Sequence, residues 1–227
     1  MVDAKAWKEI SAELQPQNVT LVAVSKTKPA SDIQELYDLG QRDFGENYVQ
    51  ELVDKQPLFP ADTRWHYIGH LQSNKVKYIA SFVHLIHAVD SFKLLQEINK
   101  QATKNDRTID VLLQLHIADE ETKFGLDEKE VIELLEYYSA QEAQLQNVRI
   151  CGLMGMATNT DNEQQIRSEF QRLQAVFKNL QQSQFLFKPY FNTCSMGMSG
   201  DYQIAVEEGS NMVRIGSLLF GARQYNT

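Results

Sequence analysis

Apolar positions along the chain fall into two alternating rhythms. Short runs rich in β-branched and aromatic residues recur at Thr20 to Ser25, Asp43 to Gly45, Trp65 to Ile68, Val83 to Ala88, Ile109 to His116, Val148 to Met154, Phe187 to Asn192 and Met212 to Ile215, and each predicts a strand. Between them, apolar residues return every three or four positions, the spacing of one helix face. DEKEVIELLEYYSAQEAQL from Asp127 is the clearest case and opens on an aspartate suited to cap a helix. SDIQELYDLG from Ser31, SFKLLQEINKQA from Ser91 and DNEQQIRSEFQRLQAVFKNL from Asp161 follow the same plan, each starting on an N-cap residue. MVDAKAWKEISAEL predicts an extra N-terminal helix, to about Leu14, ahead of the first strand.

Strands separated by helices pair in parallel, because the chain must cross the sheet to return. Eight such units predict an α/β chain of the (β/α)8 TIM-barrel class, and 227 residues leave that fold little room for insertions. One domain over residues 1–227 is expected. The alternative is a doubly wound open sheet, but the turn after the first strand, SKTKPAS, lacks the GxGxxG pattern of a dinucleotide loop.

Composition narrows the classes without choosing among them. An apolar fraction of 43%, a charged fraction of 23% and the absence of any long apolar stretch argue against a membrane protein, and the charged N-terminus against a secretory signal. A cytoplasmic location is expected. The net charge of -8 works against general binding to nucleic-acid phosphates, though not against a small anion. Cys151 and Cys194 sit in no metal-binding or disulfide pattern and are read as buried thiols.

In a barrel, chemistry belongs just past the C-terminal strand ends. Those positions hold Lys26, Glu46, Asn47, His70, Asp90, Met156, Ser195, Ser199, Arg214, Gly216 and Ser217. In NTCSMGMSGD, Gly197 and Gly200 permit close backbone approach, Ser195 and Ser199 offer hydroxyls, and a helix starting near Met198 would present free N–H groups to an anion. MVRIGSLLFGAR puts Gly216 and Ser217 in the next loop, where a barrel places the other half of a phosphate cup. Either segment alone could be turns and caps; the pair favours phosphate. Lys26 is either a solvated strand end or an amine partly desolvated at the barrel mouth and able to condense with an aldehyde. A phosphate cup across that mouth would select a phosphorylated aldehyde.

Taken together, VAVSKTKP (22–29), FGENYVQE (44–51), WHYIGHLQSNK (65–75), CSMGMSGD (194–201) and VRIGSLLFGAR (213–223) resemble the pyridoxal 5'-phosphate homeostasis proteins, single-domain barrel relatives of alanine racemase. The resemblance covers about Leu21 to Arg223. It implies the type III fold of pyridoxal-phosphate (PLP) proteins, Lys26 holding the cofactor as a Schiff base, Ser195, Gly216 and Ser217 binding its phosphate with Ser199 nearby, Asn47 beside the ring, and Arg214 facing the ring nitrogen. A guanidinium there disfavours a protonated ring nitrogen and so a strong electron sink. Cys194 and Ser217 stand where leucine and threonine are frequent in the family; neither change removes a hydroxyl donor. The implied role is a monomeric carrier or regulator of the free cofactor pool, without substantial turnover, meeting PLP-dependent apo-enzymes transiently and neither nucleic acid nor membrane.

The main rival is a PLP-dependent amino-acid racemase, which needs a second acid/base opposite Lys26; in racemases it comes from an additional domain, and this chain ends soon after FGAR. A Schiff-base aldolase on a phosphosugar shares the lysine and the cup but leaves Arg214 unexplained. A zinc enzyme on His66 and His70 is disfavoured, because residues four apart diverge on a strand running into a loop. His84, His87 and His116 are read as packed core residues, and Lys28, Lys75, Lys77 and Arg223 as solvated cations.

Overall fold

The computed structural model describes residues 2–120 and 124–221. Eight parallel strands, β1 (Thr20–Val24), β2 (Asp43–Glu46), β3 (Arg64–Tyr67), β4 (Leu85–Val89), β5 (Ile109–Leu115), β6 (Val148–Gly155), β7 (Thr193–Ser195) and β8 (Met212–Ile215), close in sequence order. Thr20 to Ala23 pair with Met212 to Ile215 to shut the ring. The helices are α1 (Ala4–Leu14), α2 (Ala30–Asp38), α3 (Val49–Lys55), α4 (Val76–Ile79), α5 (Phe92–Lys104), α6 (Glu128–Ala140), α7 (Glu163–Gln182), α8 (Tyr202–Glu207) and α9 (Ser217–Phe220). The predicted (β/α)8 barrel with an extra N-terminal helix is the observed architecture.

Alternation along the strands divides the apolar residues into two zones. Leu21, Ala23, Phe44, Trp65, Tyr67 and Ile86 point outward and pack beneath the helices. Val22, Leu85, Leu112, Cys151, Met154 and Met212 form a smaller cluster inside the ring. Both cysteines are buried free thiols, as read from the sequence. Among the described residues, no helix is long and apolar enough to cross a membrane.

Two of the predicted caps hold. Asp127 Oδ1 accepts from the Glu130 N–H at 2.8 Å while the Asp127 N–H donates to Glu130 Oε2 at 2.8 Å, a reciprocal box, and Ser91 Oγ accepts from the Leu94 N–H at 3.3 Å. Two do not. Asn162 rather than Asp161 caps α7, and α2 starts at Ala30 behind Pro29 rather than from Ser31, because proline's fixed backbone angle already sets the entry.

The seventh strand differs most from expectation. Phe187 to Asn192 is not a strand: Pro189 cannot donate to a ladder, Phe187 is 90% exposed, and Phe185 stacks on Phe191 with ring centroids 4.0 Å apart, folding the segment into consecutive turns. The strand is instead the three residues after it, with Thr193, Cys194 and Ser195 against Gly152, Leu153 and Met154. Gly152 makes this seam possible. Its φ is +155°, and a Cβ there would lie 1.7 Å from the Thr193 carbonyl oxygen. Gly152→Ala should therefore destabilise the barrel by about 3 kcal/mol, the upper range of overpacking, read as a lowered urea midpoint; an unchanged midpoint would refute the seam's tightness.

Candidate functional site

The Lys26 turn is set by charge buried beneath it. After β1, Ser25 N–H donates to Gly45 O at 3.0 Å, and Thr27 takes a left-handed φ of +62°, reversing the chain. Thr27 N–H then donates to Glu51 Oε2 at 2.8 Å. Lys55, almost fully buried, donates to Glu46 Oε1 at 2.7 Å, Glu51 Oε2 at 2.9 Å and the Ser25 carbonyl at 2.9 Å, while Ser25 Oγ donates to the same Glu46 oxygen at 2.7 Å. Burial raises the Glu46 pKa, with Lys55 opposing it. For Glu51, burial pulls upward, but hydrogen bonds from Lys55 and Thr27 prevail and its pKa falls. α3 thus braces the turn that presents Lys26.

Lys26 lines a cavity of about 400 Å³ at the C-terminal mouth, with Asn47, Ser199, Arg214, Gly216 and Ser217 also on its walls. That size suits a small molecule. Ser199 Oγ accepts from the Gly216 N–H at 3.2 Å, tying the β7 and β8 loops together and leaving the hydroxyl proton to donate. α8 begins at Tyr202, not near Met198, behind a turn in which Asp201 Oδ1 accepts the Met198 N–H at 2.6 Å. The anion-facing groups on this side are hydroxyls and the backbone around Gly216 rather than the start of α8. Lys28 also differs from the sequence reading: its ammonium donates to the Phe220 carbonyl at 2.7 Å. Asn47 is placed by Tyr67, whose hydroxyl donates to its carbonyl at 3.0 Å, and by Gly69, where a Cβ would sit 2.3 Å from that oxygen. Asn47 Oδ1 is buried with no hydrogen-bond partner among the described residues.

Arg214 enters the cavity from below. Only 4% exposed, it donates from Nη1 to Ser195 O at 2.9 Å and Ser195 Oγ at 2.6 Å, and from Nη2 to Gly155 O at 3.0 Å. Burial pulls its pKa down to about 10, still cationic at neutral pH. Ser195 is therefore on the floor beneath the cavity, not on its wall: it is fully buried and its hydroxyl also meets His87 Nδ1 at 3.3 Å. From there polar contacts continue down the barrel axis, with His87 Nε2 to His66 Nδ1 at 2.9 Å, His66 Nε2 to Asp43 Oδ1 at 3.0 Å, and Arg64 Nε and Nη2 on the two Asp43 oxygens at 2.7 and 2.5 Å. Burial drives the His87 pKa well below its ordinary value.

The structure brings six of the seven residues singled out from the sequence onto one cavity and puts Ser195 directly under it. His70 and Asp90 pair at 3.2 Å, and His70 opens instead onto a neighbouring hollow with Tyr48, Tyr67 and Tyr78. His87 is core as read, but His84 is exposed, at the surface just before β4. Arg223 lies outside the described residues. The sequence reading missed the Glu46–Lys55–Glu51 brace and the His66–His87 line; the inward parity of β3 and β4 was the available signal for the latter.

The sequence pattern of the alanine racemase N-terminal domain matches residues 4–224, which fixes the class of barrel. Curated relatives called pyridoxal phosphate homeostasis protein include those of Aquifex aeolicus, 42% identical over 90% of this chain and 87% of the relative, and Escherichia coli K12, 42% identical over 93% and 88%. PipY of Synechococcus elongatus, solved with PLP bound, is 35% identical with a TM-score of 0.84 over 96% of this chain and 99% of its own. The chain belongs to the family of pyridoxal phosphate homeostasis proteins. An alanine racemase from Bartonella henselae, at 16% identity and a TM-score of 0.67, shares the type III fold.

Replacing Lys55 with methionine would leave Glu46 a buried charge without its cation. The expected cost is about 3 kcal/mol in urea unfolding, as for other broken buried pairs, and Glu46→Gln in the same chain should recover part of it. Equal stability of the three proteins would show that the brace carries no weight.

Proposed function

We propose that the cavity binds pyridoxal 5'-phosphate and holds it as a Schiff base on Lys26, and that the chain, a monomeric cytoplasmic barrel of residues 1–227, acts as a carrier or regulator of the free cofactor pool without substantial turnover. Convergence carries this reading: one amine, one hydroxyl-and-backbone anion cup and one buried guanidinium share a cavity of about 400 Å³. The residues fit the cofactor group by group. Lys26 supplies the amine, and Ser199, Gly216 and Ser217 form the cup suited to a phosphate. Asn47 Oδ1, buried and without a partner among the described residues, supplies an acceptor beside the ring. Ser195 holds Arg214 in place rather than meeting the phosphate itself. PipY, solved with PLP bound, adds support at 35% identity.

When bound, the cofactor supplies an aldehyde for imine formation and an electron-accepting ring. Arg214 disfavours a proton on the ring nitrogen, which weakens that acceptor. Apart from the lysines, the described lining residues offer no carboxylate, histidine or tyrosine to act as a second acid/base, and Lys28 is held by Phe220 O. Both features favour retention over racemisation. A covalent but reversible attachment suits delivery to PLP-dependent apo-enzymes in transient encounters; neither nucleic acid nor membrane is part of the role.

The test is absorbance of purified protein loaded with pyridoxal phosphate, before and after borohydride. Wild type should show a reducible band and a fixed mass increment on the Lys26 peptide, and Lys26→Ala should show neither. A reducible adduct surviving in Lys26→Ala would refute the assignment, and sustained Lys26-dependent formation of D-amino acid from an L-amino acid would refute the carrier role.

A further inference from the structure

The polar line beneath Arg214 ends at the opposite mouth of the barrel, on a cluster with the chemistry of a metal site. Asp43, His66 and His84 come from the start of β2, the inside of β3 and the residue before β4, and each puts a ligand atom within 4.8 Å of the other two. His84 opens the group to solvent, while Asp43 and His66 are buried. Two imidazoles and a carboxylate with one open side form a zinc-type donor set. Tetrahedral bonds of about 2.0 Å need donors about 3.3 Å apart, so closure asks for movements on the order of 1 Å. His66 is already oriented for it. Its Nδ1 is held by His87 Nε2 at 2.9 Å, leaving Nε2 facing Asp43, which is how an outer partner fixes a ligating histidine. The competitor is Arg64, which occupies both Asp43 oxygens but is 45% exposed and can leave along the surface. The Asp110 carboxylate, held by Arg149 at 2.7 and 2.8 Å, stands on the next strand.

We propose that Asp43, His66 and His84 form a binding site for a divalent transition ion of the zinc class, and that its occupancy reverses the hydrogen-bond line leading to Arg214. Arg214 can only donate and ionised Asp43 can only accept, so with a neutral His66 every bond runs one way: Ser195 donates to His87, His87 Nε2–H to His66, and His66 Nε2–H to Asp43. An ion takes the lone pair of His66 Nε2. His66 then carries its proton on Nδ1 and donates to His87, whose proton moves to Nδ1 and points at Ser195. Each imidazole keeps one proton and the serine keeps its own, so no proton is gained or lost. Ser195 accepts where it formerly donated, and the residue holding Arg214 changes role.

The site is tested on tag-free, cofactor-free protein titrated with Co2+ and read by visible absorbance. One saturable equivalent with tetrahedral bands is expected; His84→Ala, a surface change, should weaken it about 100-fold, and Arg64→Ala, which removes the competitor, should tighten it about tenfold. No saturable binding, or equal binding in wild type and His84→Ala, overturns the site. The reversal rests on the cofactor reading above and is read separately, as a shift in the bound-cofactor band when Zn2+ is added after free cofactor is removed. The shift should appear in wild type and vanish in His84→Ala; an unshifted band overturns the link. Absence of any cofactor band would count against the function proposed above, while the Co2+ titration still decides the site.

Discussion

A guanidinium enclosed by a barrel, with no carboxylate among the described residues hydrogen-bonded to it, constrains much of this molecule. Removing such a charge from water costs several kcal/mol unless fixed dipoles replace the solvent. For Arg214 the replacements are the Ser195 carbonyl and hydroxyl and the Gly155 carbonyl, at the ends of β7 and β6. The three acceptors must converge to within a few tenths of an ångström, so the β6–β7 register cannot slip. β7 has only three residues to hold that register, and the close contact permitted by Gly152 makes up for its length.

The same constraint explains the polar interior. A small barrel ordinarily fills its centre with branched apolar side chains, yet here the apolar interior cluster shares the space with Asp43, His66, His87, Ser195 and Arg214. His87 lies beside a cation and far from water, which keeps its imidazole neutral and able both to accept and to donate. Ser195 and the neutral His87 carry the line on from Arg214 without a second charge beside it, and at the far end Arg64 and His66 hold the Asp43 carboxyl well below the usual carboxylate range despite its burial. The two charged ends sit at opposite mouths, with the neutral His87 between them.

Legibility in the sequence followed the range of the interactions. Periodicity is local, so seven of the eight strand segments and the long helices could be read from spacing alone. The seventh strand could not: Phe187 to Asn192 has the composition of a strand, but a proline and a stacked aromatic pair decide its shape, and the pairing partner that selects Thr193 to Ser195 lies some forty residues earlier. The lysine, the glycine loops and Arg214 were legible because barrel topology says where strand ends meet. The brace under Lys26 was not, because Lys55 and Glu51 look like an ordinary exposed i,i+4 pair until Glu46 is seen beneath them.

The stretch Ser25 to Lys28 shows how little sequence distance is needed to separate two roles. A strand would put Lys26 and Lys28 on one face, but the positive φ of Thr27 turns the chain between them. Lys26 is left to the cavity. Lys28 crosses to the end of the chain, where its ammonium takes the carbonyl of Phe220 in α9, while Asp3 N–H, ahead of α1, takes that of Leu219. The first and last units of the barrel are thereby joined at the cavity's rim, which is where Gly216 and Ser217 must be held if an anion is to be gripped across from an amine. Fixing that distance depends on the half-buried Glu51, which accepts the Thr27 N–H and is tied through Lys55 to the buried Glu46, so the reach of the site and the stability of the first β–α unit are set by the same few bonds.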